Sequence, residues 1–319
     1  MFFRQSIYGG RTYKYKNSFK SKQRDDYLKG MLKFEDIDDY LIDADVNSLY
    51  PAAMMNRFPV GIPIKVESQT LAHFNKVIQQ ENRCPKLGIF RVRYITNKYL
   101  IDGILPRREE GRLKWDLKDG EGVYNSVDID NALKHGYEIE LLEGYYWNKT
   151  DMVFDDYIQY LYNFKKKATK GTAQYTLAKL MMNGLYGKTI QRPILDEHAI
   201  IRKKEEFIKL HIQHGGVEMN GQSDGSYNVT YQNEAKLKNK ITKPCYLGSF
   251  ILGYSRRIML SYLEQTNPYF SSGQLNKQLV NAPYYTDMTL NNEIGGISDD
   301  LGDNCKILYG GWIAPSCIF

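Results

Sequence analysis

The stretch DADVNSLYPAAM, residues 43–54, places a carboxylate, Asp45, at the end of a short apolar run and follows it at once with Ser48, Leu49, Tyr50 and Pro51. The wider segment DDYLIDADVNS, residues 38–48, alternates enough to read as a strand that stops where polar residues take over. Pro51 then opens a helix over PAAMMNRF, because proline is tolerated in the first helical turn. Asp45 would therefore sit at a strand end beside a helix N-terminus. Open sheets put chemistry there, since free amides at such a terminus can bind phosphate.

Outward from that stretch, the chain has 319 residues and 42% hydrophobic content, enough for one large domain or two modest ones. Its net charge of +6 and pI near 8.8 fit an anionic partner such as nucleic acid, although many ordinary proteins share that balance. The four cysteines, Cys84, Cys245, Cys305 and Cys317, have no paired spacing, which argues against a zinc knuckle or disulfide framework and for reduced thiols. No apolar run is long enough for a transmembrane helix, so no membrane partner is expected. The basic, aromatic N-terminus lacks the apolar core of a secretion signal. Its run KYKNSFKSKQR reads as a solvated face, or as a contact for a single nucleic-acid strand.

LGIFRVRYI and YEIELLEGYYW look like strands, VDIDNALKHG like a helix ending at Gly136, and REEGRLKWDLKDGEG like turns. FDDYIQYLYNFKKK and AQYTLAKLMMNGLYG carry helical periodicity, with Gly171 as the break between them. Residues 196–242 read as a polar, hairpin-like insertion, CYLGSFILGYSRRIMLSYLEQ as a buried helix, and LVNAPYYTDMTLN as a strand pair around a tight turn. Asp299 and Asp300 read as a turn or cap, or, close in sequence to the YYTDMTL stretch, as stand-in ligands, and KILYGGWIAPSCIF as a closing strand.

On the second long helix, Lys179, Asn183, Tyr186 and Gly187 fall at spacings of three and four, so one stripe displays a cation, an amide, a phenol and a gap. Lys167 lies three turns back, near the same face. Such a stripe would suit a flat ring over Gly187 with Lys179 reaching a phosphate. The bland alternative has Lys179 and Asn183 in solvent while Leu177, Leu180, Met181 and Leu185 make core.

DVNSLYP at 45–51 and KLMMNGLYGK at 179–188 together resemble the first two polymerase motifs of family B DNA polymerases, most closely the protein-primed branch of phages, linear mitochondrial plasmids and virophages. IYGGRTY at 7–13 resembles the Tyr-Gly-Gly loop that joins exonuclease and polymerase domains in that branch. The resemblance implies an α+β fold: a right-hand palm of antiparallel sheet with helices, helical fingers, and an inserted mixed α/β subdomain. It also implies these boundaries: an N-terminal arm at 1–37 from a missing exonuclease domain, palm at 38–68, the inserted subdomain at 69–150, fingers at 151–195, the insertion at 196–242, and palm again at 243–319, with the thumb absent.

The resemblance further implies DNA-directed DNA polymerase chemistry by a two-metal mechanism. Asp45 and Asp287 would be the catalytic carboxylates, and with the Val46 carbonyl they would hold two Mg²⁺ ions, Mn²⁺ being able to substitute. Ser48 and Leu49 would cradle the triphosphate, and Tyr50 would lie under the sugar and exclude a 2′-hydroxyl. Lys179, with Lys167 as helper, would neutralise phosphates, while Asn183, Tyr186 and Gly187 would shape the base-pair pocket. Tyr8, Gly9, Gly10, Lys188 and Arg256 would contact DNA, although Arg256 and Arg257 could equally snorkel to water. Implied partners are template-primer DNA, deoxynucleoside triphosphates, a terminal protein primer, and separate exonuclease or thumb chains. The implied location is intracellular: the mitochondrion for a plasmid, the host cell for a virus or phage.

The sequence departs from the family at three places, the smallest being Gly184, where the family usually has Ser and the change is expected to be tolerated. In the third motif, normally Tyr, any residue, Asp-Thr-Asp-Ser, the chain has YYTDMTL. One register leaves Thr289 where the metal-binding Asp belongs, and the other puts Asp287 there and Tyr285 on the first Asp. Near the C-terminus, Ser316 and Ile318 replace the Lys and Tyr of the family's Ala-Pro-Lys, any residue, Tyr strand. The expectation is a truncated or partly degenerate polymerase. Its rivals are an inactive nucleic-acid-binding remnant, a subunit of a split polymerase and, less well matched, a nucleotide-sugar transferase.

Overall fold

A computed structural model describes residues 2–10, 18–38, 40, 44–100, 102–191, 196–214, 217–222, 225–232, 243–266, 293–299 and 306–311. The chain divides into two units, one of residues 1–187 and 246–319 and one of residues 188–245. In chain order the elements are α1 (Phe2–Gln5), β1 (Ser18–Lys20), α2 (Arg24–Leu28), β2 (Ala44–Val46), α3 (Leu49–Met54), β3 (Phe58–Val60), β4 (Ile64–Lys65) and α4 (Ser68–Glu81). There follow β5 (Gly88–Ile95), β6 (Arg107–Glu109), β7 (Arg112–Lys114), β8 (Gly120–Asn125), α5 (Ser126–Lys134), β9 (Glu138–Tyr146), β10 (Lys149–Asp151), α6 (Asp155–Lys167) and α7 (Ala173–Ile190). The last are β11 (Asp196–Ile201), α8 (Lys204–His214), β12 (Val217–Gly221), β13 (Tyr227–Gln232), α9 (Cys245–Thr266), β14 (Ile297–Asp299) and β15 (Tyr309–Gly311).

The centre of the first unit is an antiparallel sheet in the order β4-β9-β5-β8. Alternation along β5 decides its faces. Phe90, Val92 and Tyr94 point into a core shared with Phe74 and Ile78 of α4 and with Ile129 and Leu133 of α5. Arg91 and Arg93 point outward and pair across the strands with Glu143, Glu121 and Glu140. Ile89 joins a second core made by α3, α6, α7 and α9, including Met54, Phe58, Trp147, Ile158, Leu161, Met182 and Phe250. Full burial of such side chains is worth about 1.5–3 kcal/mol each, so this second core is what fixes α6 and α7 beside β2 and α3.

Local chemistry sets the element ends. Asn125 caps α5 by accepting the Asp128 amide, and Gly136 ends it at φ +78°. Gly171, at φ +92°, separates α6 from α7 as the sequence indicates. The segment read as turns around 108–122 holds a β6–β7 hairpin instead, closed by Glu110 and Gly111, both at positive φ, and tied by Arg107 to Glu109 and Asp116. Period-two patterning is too short there to announce three-residue strands.

Several further expectations need correction. α3 starts at Leu49, two residues before Pro51, with Ser48 in the left-handed region at φ 54° as its N-cap. Pro51 is still within the first turn, where its missing N–H has no intrahelical partner. Of the strand expected over 38–48, residues 44–46 are strand, and 39 and 41–43 lie outside the described residues. Asp299 belongs to β14, which pairs antiparallel with β2 so that Ser298 lies opposite Asp45, and it is therefore no turn residue. The strand pair and turn expected at 279–291, with Tyr285, Asp287 and Thr289, lie outside the described residues, as do residue 300 and residues 312–319.

The second unit is more than a hairpin. It contains the three-stranded antiparallel sheet β11-β13-β12, with α8 in the connection from β11 to β12, around the fully buried Val229. The amphipathic run KEEFIKLHIQH, with two acidic residues in its first turn, is what makes that connection helical.

Candidate active site

β2 ends at Val46, and the chain turns sharply through Asn47 and Ser48 into α3. Backbone hydrogen bonds hold that turn against residues 295–296: the Asn47 amide donates to the Gly296 carbonyl at 2.8 Å and the Gly295 amide to the Asn47 carbonyl at 2.7 Å. Asp45 is exposed at this strand end, whereas the Val46 side chain is buried, so only the Val46 backbone could face a ligand. The first intrahelical bond runs from the Ala52 amide to the Ser48 carbonyl, so the amides of Ser48 and Leu49 have no partner within the helix.

Two other elements converge on this turn. Tyr50 and Tyr186, from α3 and α7, stack with ring centroids 4.4 Å apart and planes inclined by 11°. Burial pushes the Tyr50 phenol up, and burial followed by the Tyr50 ring pushes the Tyr186 phenol up to about 12. From α6, the Lys165 ammonium donates to Ser48 Oγ at 3.2 Å and lies 5.5 Å from the centroid of the Tyr175 ring. Lys166, one residue on, pairs with Glu293 at 2.8 Å.

Lys167, the helper lysine expected from the sequence, is exposed at the end of α6, and it is Lys165 whose ammonium meets Ser48. Phe154, Ile158 and Leu161 are the buried stripe of α6, and Lys165 continues it by four residues, whereas Lys167 is rotated into solvent. Helical phase applied to α6 would have found it.

α7 follows neither sequence alternative in full. Lys179, Asn183 and Gly187 are exposed, and a Cβ at Gly187 would meet no atom within 4 Å. Leu177, Leu180 and Met181 are also exposed, at 57%, 64% and 43%, so they are not core. The buried edge is Ala178 and Met182, with Leu185 and Tyr186 partly covered. The helix thus presents an open face that carries a cation and an amide alongside apolar groups.

Among the proposed DNA contacts, two side chains are corrected. Tyr8 is 4% exposed, stacked on Tyr124 at 5.1 Å and roofed by the Arg108 guanidinium at 4.4 Å. Arg256 is 8% exposed and forked onto Asp128, so it neither snorkels nor reaches a phosphate. Apolar neighbours, Leu252 and Leu260, sit one turn away on either side of Arg256, and sequence alone could not see that α5 offers a buried carboxylate there. Gly9 and Lys188 are exposed and Gly10 is half-buried. Among the described residues, no group of three or more acidic, histidine or cysteine side chains assembles as a metal cluster.

Residues 1–268 match the family described as DNA polymerase type B, organellar and viral. The chain belongs to that family. Probable DNA polymerases of Neurospora intermedia and Ascobolus immersus are among the proteins it resembles: 39% identical over 168 residues, half of this chain, and 29% identical over 229 residues, 69% of it. The DNA polymerase of Bacillus phage phi29 is 32% identical over 163 residues, 47% of this chain. These matches cover 17%, 18% and 26% of the relatives' own lengths. The structure of Phi29 DNA polymerase complexed with primer-template DNA superposes with a TM-score of 0.53 and 18% identity, over 93% of this chain and 46% of that one. The type B polymerase fold, with its mixed helices and antiparallel sheets, is thereby shown.

Proposed function

We propose that this chain carries the palm and fingers chemistry of a DNA-directed DNA polymerase. The observation that carries the reading is the convergence of Tyr50, Tyr186, Ser48 and Lys165 beside Asp45. Three elements far apart in sequence supply an aromatic floor, a hydroxyl and a cation next to an exposed carboxylate. That set matches a nucleoside triphosphate, with its flat base and sugar at one end and phosphates at the other.

Lys165 and Lys179 neutralise phosphates, and the Ser48 and Leu49 amides donate to them. The Tyr50 ring, held flat by Tyr186, fills the space a 2′-hydroxyl would need. Asn183 and Gly187 border the templating base. A divalent cation fits the hard oxygen donors present, the Asp45 carboxylate and the Val46 carbonyl, with Asp287 as the further carboxylate of a two-Mg²⁺ site. When bound, such ions lower the pKa of the primer 3′-hydroxyl and stabilise the leaving pyrophosphate. Relatives bearing the name DNA polymerase, one of them solved with primer-template DNA, support template-primer DNA and deoxynucleotides as substrates. A terminal protein primer and action inside the cell go with the protein-primed branch.

Primer extension on a short template with Mg²⁺ or Mn²⁺ tests the reading. Extension by the unmodified chain that disappears in Asp45→Ala and Asp287→Ala is the expected result. An inactive chain that gains extension in Thr289→Asp would show instead that the third motif has lost its ligand, and the same activity in Asp45→Ala would sink the proposal.

A further inference from the structure

We infer that Lys166 and Glu293 are positioning residues, whose ion pair holds the end of α6 so that the neighbouring Lys165 ammonium is aimed at the triphosphate. The inference deepens the proposed polymerase reading and rests on it for the ligand. Its geometry comes from the last turns of α6. Leu161 is the last buried residue of that helix, and no side chain from Tyr162 to Lys167 is buried. A helix end without a core anchor frays unless something else ties it. Two ties are present, on consecutive residues that point about 100° apart around the helix. Lys165 Nζ donates to Ser48 Oγ at 3.2 Å, and Lys166 Nζ donates to Glu293 Oε1 at 2.8 Å.

Both ties end on one feature, the turn that follows Asp45. Ser48 is the last residue of that turn, in the left-handed region at φ 54°. Glu293 belongs to the segment that buttresses the turn from the other side. Its carbonyl accepts the Gly296 amide at 2.9 Å, Ile294 packs against the second core, and Gly295 and Gly296 bond the backbone of Asn47. The Tyr262 hydroxyl of α9 donates to the Gly295 carbonyl at 2.6 Å, and a Cβ on Gly295 would lie 2.8 Å from that of Ala52, so the segment is seated closely against α3. Lys166 therefore grips an anchored partner. An exposed ion pair adds little to stability, and three lysines at a helix C-terminus suit the macrodipole wherever they point. What the pair adds is direction. With Lys166 held at Glu293, Lys165 emerges over Ser48; with the pair broken, the end of α6 is free to unwind toward Gly171 and the Lys165 ammonium loses its aim.

Single-nucleotide primer extension at saturating DNA tests this. Lys166→Met and Glu293→Gln should each raise the nucleotide KM about threefold, the order expected of an exposed pair, with kcat and DNA affinity unchanged. A shielding role, in which Lys166 only masks a carboxylate near the phosphates, gives opposite signs instead, because Glu293→Gln would then lower KM. Both variants should lose their effect in the Lys165→Ala background, since they act through that ammonium. Unchanged KM in the single variants, opposite signs, or effects that add to that of Lys165→Ala would each overturn the inference while leaving the proposed function standing. An unmodified chain that extends no primer defeats the proposed function, and deoxynucleotide affinity by equilibrium titration then makes the same comparison. Equal loss of affinity in both single variants supports the inference, and no difference among the three chains overturns it.

Discussion

Tyr50 and Tyr186, which are 136 positions apart in the sequence, lie face to face at 4.4 Å, so the helix after the first motif and the helix of the second share one aromatic floor. The contact makes the two motifs a single structural feature. If Tyr50 excludes ribonucleotides by bulk, Tyr50→Val should raise the rate of ribonucleotide relative to deoxynucleotide incorporation at least about tenfold, the factor that follows from roughly 1.4 kcal/mol of relieved clash. Tyr186→Ala, which lets the Tyr50 ring tilt, should shift the same ratio in the same direction by less. Single-nucleotide insertion with matched ribo- and deoxy-substrates reads both.

The lysines of α6 divide by phase. Lys165→Ala should raise the nucleotide KM several-fold, because its ammonium stands at Ser48, whereas Lys167→Ala should leave KM unchanged. Lys179→Ala should behave like Lys165→Ala. Steady-state kinetics at saturating template separates the three.

Removing one partner of the buried pair is costly even though the pair itself is not strongly stabilising. Asp128→Ala leaves the Arg256 guanidinium buried without its carboxylate and should lower unfolding free energy by about 3–5 kcal/mol. Urea denaturation followed by tryptophan emission measures it, Trp147 being fully buried.

Gly253 on α9 is needed for close approach. A Cβ there would lie 2.6 Å from Asn125 Oδ1 and 2.9 Å from Nδ2, so Gly253→Ala must displace the α5 cap. The expected loss is about 1–3 kcal/mol by overpacking, against the small gain alanine normally brings to a helix interior. Gly184→Ala, with nothing within 4 Å of the new methyl, should instead be neutral or stabilising.

Acid should weaken two places in a defined window, the β6–β7 hairpin at Glu109 and the link between the ends of β5 and β8 at Asp119. Lys114, then Arg107, hold the Glu109 carboxyl down at about 2, and Lys98, then the Thr96 amide, hold Asp119 at about 2. Folded-state values below the unfolded ones mean that the contribution is complete above about pH 4.5 and is lost as pH falls toward 2. Glu109→Gln should flatten the pH dependence of stability in that window and leave it unchanged above pH 5. Thermal melts across the acid range test the sign.

The sequence by itself determined the local pieces. Asp45, Ser48 and Tyr50 are neighbours in the chain, so their proximity follows from connectivity, and the Gly171 break, the Gly136 stop and the strands at 88–95 and 138–146 follow from turn chemistry and period-two alternation. The two polymerase motifs are likewise short contiguous words. Tertiary structure alone decided which residue of each helix meets which. Lys165 rather than Lys167 reaches Ser48 because the buried stripe of α6 sets the helix's rotation, and that stripe is defined by the core it packs against. Arg256 reads as a surface cation in sequence and is a core residue in the fold, because only packing of α9 on α5 brings Asp128 within 2.6 Å of it and makes burial of the charge tolerable.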